Sequence, residues 1–386
     1  MTRSSRSGER DTVLFLSCWS TMGGAQVSLA AIMEALHGDL RTALAAPAMG
    51  PLVDRVTDRV CLDVHVVTPS FLDTSRPKAR VGTALVLVRW LIRNHRRLAA
   101  VHANGDAEIK LLLPVLPLLF ALRRPVVVWY HSREMSPGTL KLRLLWRVLG
   151  RRIRWATVSA AAREQLATAG VAASQVTVIP NPIDPGEISP PTPHRRSAEF
   201  VFGYLGCEYE SKGITVLPGI LDNLGDAPIR ILCVTKEWPP ERNSDAVNRA
   251  LDRLRASGRV EIMPRDFDVR RIYARIDGLV VPSLSESFCR IAAEAMVIGL
   301  PVVASDIPAI REVTGEGSAA LLFPAGDEAI AANQLSLIAA DHELAARLVS
   351  AGRQIGQRFA PAAVAAALAQ QYEIPSINAV GDEPRP

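Results

Sequence analysis

Between Gly278 and Asp306 the chain reads GLVVPSLSESFCRIAAEAMVIGLPVVASD, and no other stretch limits the fold as tightly. Gly278 to Val281 is an apolar run of strand length, and Pro282, Ser283 and Ser285 mark a turn after it. Ile291, Ala292, Ala295, Met296 and Ile298 recur at helical spacing, Gly299 supplies a stop, and Pro301 to Ala304 is a second apolar run. Two strands joined through a helix run parallel, and a parallel sheet needs helices over both faces. The same alternation extends over the rest of the chain. Strands are expected near 13–17, 41–46, 64–67, 101–103, 126–131, 155–158 and 176–179. Helices are expected near 25–37, 79–97, 107–122, 138–150 and 160–169. Strand–helix alternation restarts at Phe200 and runs to about 323, and helices near 327–354 and 361–372 close the chain. The fold class is therefore α/β with doubly wound sheets.

A chain of 386 residues is too long for one comfortable core. The break is expected where apolar content collapses, in the proline-rich NPIDPGEISPPTPHRRSAE at 181–199. This gives a first domain at 1–185, a linker at 186–199 and a second domain at 200–360. A helix at 361–376 is expected to pack back toward the first domain, and 377–386 to form a disordered tail. Two facing open sheets would hold a ligand at the carboxyl ends of their strands.

Charge divides unevenly. Residues 1–185 carry 24 Lys and Arg against 13 Asp and Glu, whereas residues 186–386 carry 20 against 26. The basic half favours an anionic acceptor or surface. No aromatic stacking platform or basic motif accompanies it, so nucleic acid is not an expected partner. Five cysteines, odd in number and without a C-x-x-C pair, point to a reducing, cytoplasmic setting. The basic start followed by VLFLSCW is too short for a signal peptide, and LLLPVLPLLFAL at 111–122 is too short and proline-broken to span a bilayer. VRWLIRNHRR at 88–97 and KLRLLWRVLGRRIRW at 141–155 admit two readings. One is peripheral contact with the inner membrane surface; the other, which we adopt, is apolar core residues with solvated arginines.

Within 282–306, Glu286 lies in the loop and Glu294 in the helix, eight positions on. Two turns of helix rise about 11–12 Å, enough for two carboxylates to grip two ends of an extended polar ligand. Between them a helix N-terminus offers N–H groups and a positive dipole end to an anion. The whole segment resembles the signature of the retaining glycosyltransferases of family 4, a Glu-x7-Glu inside P-S-x-x-E-x-F-G-x-x-x-x-E-A-M-x-x-G-x-P-V-V-A. TVSAAAREQLATAG and VTVIPNPID at 157–184, and FGYLGCEYESKGI at 202–214, are similar to further blocks of that family.

The resemblance implies the GT-B fold, two Rossmann-like domains facing each other across a cleft. It also implies transfer of a hexosyl group from a nucleoside diphosphate sugar to an acceptor hydroxyl on a saccharide, lipid or small natural product. Carried over by position, Glu286 binds donor sugar hydroxyls, and Ser287, Phe288, Cys289 and Arg290 present backbone N–H groups to sugar and phosphate. Glu294 accepts from the ribose hydroxyls, and Lys212 meets the diphosphate. Gly23 and Gly24 face the diphosphate, Gly24 also the acceptor. His131 bonds a sugar hydroxyl, and Arg133 and Glu134 touch the acceptor. Thr235 and Arg265 match positions near the nucleotide, and Asn181 has a structural part. Cys207 stands where the family usually has Arg, which removes a fixed charge from donor binding. Cys289 replaces a frequent Gly, an exchange that is tolerable at negative φ. No His, Cys or Asp cluster suggests a metal site, so neither metal nor cofactor is expected. Two other classes remain open, a catalytically silent nucleotide-sugar binder and a hydrolase or epimerase of nucleotide sugars.

Overall fold

The structure is a computed structural model that describes residues 11–60, 64–68, 77–131, 152–190, 199–206, 209–236, 239–264 and 268–374. The chain divides into two compact units, Met1–Pro182 with Pro361–Pro386, and Ile183–Ala360.

The first unit holds seven strands: β1 (Thr12–Leu16), β2 (Arg41–Ala46), β3 (Val64–Val67), β4 (Leu98–Ala103), β5 (Val126–Tyr130), β6 (Ile153–Thr157) and β7 (Val176–Val178). They pair in the order β3-β2-β1-β4-β5-β6-β7, every pair parallel. Helices cover both faces, which is why VLFL in β1 and VVVWY in β5 are buried throughout. Leu14, Leu16, Val101, Val128, Tyr130 and Trp155 lie in its core. The strand order reverses between β1 and β4, so the loops leaving those two strands border the switch point where open sheets bind ligands.

The elements of this unit depart from the sequence expectation in two places. A helix at Pro51–Val60 was not foreseen, although Leu52, Val56 and Val60 recur at fours and are buried. Asp54, Arg55, Asp58 and Arg59 between them hide the period. The helix expected at 107–122 is two, Asp106–Leu112 and Leu116–Ala121. Pro114 cannot continue the first, and Pro117 fits only the opening turn of the second. The helix expected at 138–150 lies outside the described residues.

The second unit has six parallel strands: β8 (Phe200–Tyr204), β9 (Ile229–Thr235), β10 (Val260–Pro264), β11 (Gly278–Val281), β12 (Val302–Ser305) and β13 (Leu321–Phe323). Their order is β10-β9-β8-β11-β12-β13, with the reversal between β8 and β11. Phe202, Tyr204, Leu217, Val280 and Phe323 lie in its core. The helix expected at 327–354 is interrupted at Asp341, whose carboxylate accepts the Leu344 N–H at 2.8 Å and so starts a second helix, His342–Gly356.

The units part after Pro182, not after Pro185, because Ile183 donates its N–H to Phe359 O at 2.8 Å inside the second unit. Pro185–Ile188 is a short helix, its Gly186 N–H held by Asp184 at 2.9 Å, so the first residues of the expected linker are structured. Residues 191–198 lie outside the description. The closing helix, Pro361–Gln371, belongs to the first unit, where it packs on the helix Gly24–Leu36. Tyr372 after it brings its hydroxyl to 2.8 Å from His102 Nδ1, and Arg154 donates to Gln371 O at 2.8 Å. The tail expected at 377–386 is outside the described residues. Among the described residues, no helix is long and apolar enough to cross a membrane.

Candidate active site

In the second unit, the loop after β8 and the loop after β11 are held against each other by backbone. Leu284 N–H and Ser285 N–H both reach Ser211 O, at 2.9 and 3.2 Å. Gly213 has φ +75, and a Cβ there would stand 1.8 Å from Pro282 O, so only glycine lets the two loops approach this closely. That approach brings Lys212 from one loop onto Glu286 of the other. Lys212 Nζ lies 2.7 Å from both Oε1 and Oε2, and Ser283 Oγ donates to Oε1 at 2.9 Å. The Glu286 side chain is 6% exposed and that of Lys212 33%.

Glu294 is held separately. It sits in the helix Arg290–Ile298, where Arg290 Nε donates to Oε1 at 2.7 Å one turn back. The Tyr273 hydroxyl donates to Oε2 at 2.7 Å. Burial first, and then the Glu294 charge, push the Tyr273 phenol well above its ordinary range, so it stays a donor. The helix begins at Arg290, so the span from Glu286 to Glu294 is half loop and half helix rather than two full turns. Cys289 precedes it and places no side-chain cap on the first turn.

Cys289 departs from expectation. Its φ is +66, in the left-handed region, not the negative value that would make a non-glycine residue comfortable there. A Cβ in that region costs about 1–2 kcal/mol. The thiol is buried, and burial pushes its pKa up, so it is not a thiolate nucleophile. Phe288 is buried edge-on against Phe359, with ring centroids 5.5 Å apart. Its side chain fastens the loop rather than facing outward. Thr235 ends β9 with its side chain likewise buried.

In the first unit, His131 follows β5 with its ring 4.3 Å from that of Trp129. Its Nδ1 is 3.1 Å from Asn181 Oδ1 and its Nε2 is 3.1 Å from Asn104 Oδ1. Asn104, directly after β4, also donates through Nδ2 to Ala25 O at 3.2 Å. Ser28 Oγ lies 2.9 Å from Asn181 Oδ1 and 3.0 Å from Gly24 O. Gly23 caps the helix Gly24–Leu36, and a Cβ on it would come within 2.9 Å of Gln26 Oε1. A Cβ on Gly24 would meet nothing within 4 Å, so the protein's own packing does not demand its smallness. Beneath His131, His102 is fully buried. Burial first, and then the His131 charge, lower its pKa from 6.5 to about 3 and keep it neutral.

The site residues expected from sequence thus gather in two groups. Lys212, Glu286, Ser287, Phe288, Cys289, Arg290 and Glu294 share the loops after β8 and β11, while Gly23, Gly24 and His131 follow β1 and β5. Thr235 lies apart at the end of β9. Cys207, Arg265, Arg133 and Glu134 fall outside the described residues. Tyr273, Asn104 and Ser28 were not foreseen, and no local pattern marks them; each matters through a partner distant in sequence. Ser283, the serine of the P-S-x-x-E pattern, was read only as a turn residue, although it donates to Glu286 three positions on. Among the described residues, no group of three or more His, Cys, Asp or Glu is placed to hold a metal ion.

Comparison with known proteins adds to this geometry. Residues 22–187 match the profile of Glycosyltransferase Family 4, and residues 199–341 that of Glycosyl transferases group 1. The chain is 28% identical over 347 residues to a phosphatidyl-myo-inositol mannosyltransferase of Mycobacterium leprae, covering 80% of this chain and 87% of that one. A D-inositol 3-phosphate glycosyltransferase of Streptomyces bingchenggensis is 34% identical over 100 residues, 26% of this chain and 22% of its own length. Among solved structures, Anabaena Alr3699/HepE in complex with UDP and glucose superposes with a TM-score of 0.72 at 22% identity, covering 93% of this chain and 98% of that chain. A glycosyltransferase from Rickettsia africae gives 0.78 at 14% identity, covering 97% and 100%.

Proposed function

This chain belongs to glycosyltransferase family 4 and is a glycosyltransferase, and on that premise we propose that it moves a hexosyl group from a nucleoside diphosphate sugar to an acceptor hydroxyl with retention of configuration. The observation that carries the reading is the joining of Lys212 to Glu286, beside Glu294 with its own two donors. In this reading the donor diphosphate lies against Lys212 and the N-terminus of the helix Arg290–Ile298, where an ammonium and backbone N–H groups face a dianion. Glu294 takes hydrogen bonds from the ribose hydroxyls, Glu286 from hydroxyls of the sugar. His131, its ring held by Asn104 and Asn181, faces a further sugar hydroxyl, and the loop at Gly23 and Gly24 meets diphosphate and acceptor. As the bond from the anomeric carbon to the diphosphate breaks, Lys212 and the amides stabilise the growing charge, a task that needs no metal ion.

UDP is the first nucleotide to test, since a solved structure of the same fold holds UDP and glucose. Melting temperatures are measured with UDP, GDP, ADP and dTDP, alone and as their sugars, on wild type and Glu294→Ala. The expected result is a rise with one nucleotide that Glu294→Ala abolishes, because a ligand of the folded state raises its stability. No rise with any of them overturns the reading. Turnover unchanged by EDTA and a product whose anomeric configuration matches the donor test the finer claims.

Exposed apolar residues on the helix Pro77–Asn94 turn the balance away from the core reading adopted from sequence and favour peripheral contact with an anionic lipid surface. Val81, Leu85 and Ile92 are each more than half exposed, with exposed Arg89 and Arg93 on the same helix. The second basic stretch, 141–155, lies outside the described residues up to 151, and its Ile153–Trp155 belong to β6. Cosedimentation with anionic but not with zwitterionic vesicles is expected. Equal recovery with both refutes the contact.

A further inference from the structure

The hydrogen bonds around His131 fix where its proton sits. Ala25 O can only accept, so the Asn104 group 3.2 Å from it is the amide nitrogen. The amide oxygen of Asn104 is thereby turned onto His131 Nε2 at 3.1 Å, and that oxygen too can only accept. Nε2 therefore carries a hydrogen whatever the charge of the ring. The other side adapts. If Nδ1 is protonated it donates to Asn181 Oδ1, which Ser28 Oγ also approaches at 2.9 Å. If Nδ1 is bare, a turned Asn181 amide donates to it and to Ser28 Oγ, and the Ser28 proton goes to Gly24 O at 3.0 Å. Asn104 is 3% exposed and its N–H is anchored to Leu16 O at 3.2 Å, so this clamp is built into the carboxyl ends of β1 and β4.

We propose that Asn104 is a positioning residue that holds His131 with its hydrogen on Nε2, so that the ring keeps one orientation toward the transferred sugar and that nitrogen is not available as a base. The inference rests on the glycosyl-transfer reading only for its kinetic consequence; the position of the proton is decided without it.

The test uses the full chain labelled with 15N-histidine, the His131 signals being assigned by their loss in His131→Gln. Long-range proton–nitrogen spectra of wild type are expected to show Nε2 protonated, with and without UDP. Asn104→Leu removes the acceptor and is expected to admit the Nδ1–H form while kcat/KM falls about tenfold, chiefly in kcat, the size of one well-placed hydrogen bond. Asn104→Asp, which keeps an acceptor oxygen in place, is expected to retain Nε2–H and most of kcat. An Nδ1–H ring in wild type overturns the proposal. So does a ring unchanged in Asn104→Leu, or equal kinetic loss in the Leu and Asp variants. Absence of turnover on every nucleotide sugar sinks the catalytic reading alone, and the spectra still decide the tautomer.

Discussion

Replacing Lys212 by alanine is the sharpest test of the paired loops. Glu286 keeps its carboxylate in a pocket where only 6% of its side chain meets water, with both oxygens 2.7 Å from the Lys212 ammonium. Without Lys212 the Ser283 hydroxyl, 2.9 Å away, is the side-chain donor that remains among the described residues of the second unit. Stranding one member of a buried pair costs about 3–5 kcal/mol. One-third exposure of Lys212 admits water to the vacated place, so we expect about 2 kcal/mol. Glu286→Gln alone should cost about 0.5–1 kcal/mol, since it leaves the more exposed partner. The double variant should then recover about 1–2 kcal/mol relative to the sum of the singles. Urea unfolding, read from the transition of the second unit, measures all three. A loss below about 0.5 kcal/mol in Lys212→Ala, or strict additivity in the cycle, would show that the contact holds nothing together.

Three further outcomes are expected. At Cys289 the left-handed backbone reverses the usual order of small residues, so Cys289→Gly should be more stable than Cys289→Ala by about 1 kcal/mol; thermal unfolding of the two variants decides it. Tyr273→Phe removes one of the two donors that hold Glu294 and should cost about 1.5–3 kcal/mol, with a parallel loss of nucleotide affinity by titration calorimetry. His102 has a lowered pKa in the folded chain, so its contribution is complete above pH 6.5 and drains away as pH falls toward about 3. Unfolding in that window should take up one proton that His102→Asn does not, as the pH dependence of stability will show.

The sheet strands were legible because parallel strands buried on both faces must be unbroken apolar runs, as VLFL and VVVWY are. Glu286, Glu294 and Lys212 were legible because a local signature carries them. What sequence could not show is where chain segments meet. Tyr273 reaches Glu294 across 21 positions, and Asn104 reaches His131 across 27. Neither spacing has a period to betray it. The sign of φ at Cys289 was equally hidden, since nothing in S-F-C-R requires a left-handed turn and the usual glycine clue is absent. The Pro51–Val60 helix was readable in principle from its buried apolar residues four apart, but charged neighbours masked them.

The chain leaves its first unit at Pro182 and returns to it only at Pro361. During synthesis the helix Gly24–Leu36 and the buried His102 are made before the second unit, while their partners in Pro361–Gln371 and Tyr372 follow it. At about 5–20 residues per second the ribosome needs on the order of ten to thirty seconds to make the intervening unit. For that interval the first unit waits unfinished, with an apolar helix face uncovered, and the second can fold before the first is sealed. A nascent chain of this design offers chaperones a defined window, which closes when Tyr372 reaches its histidine.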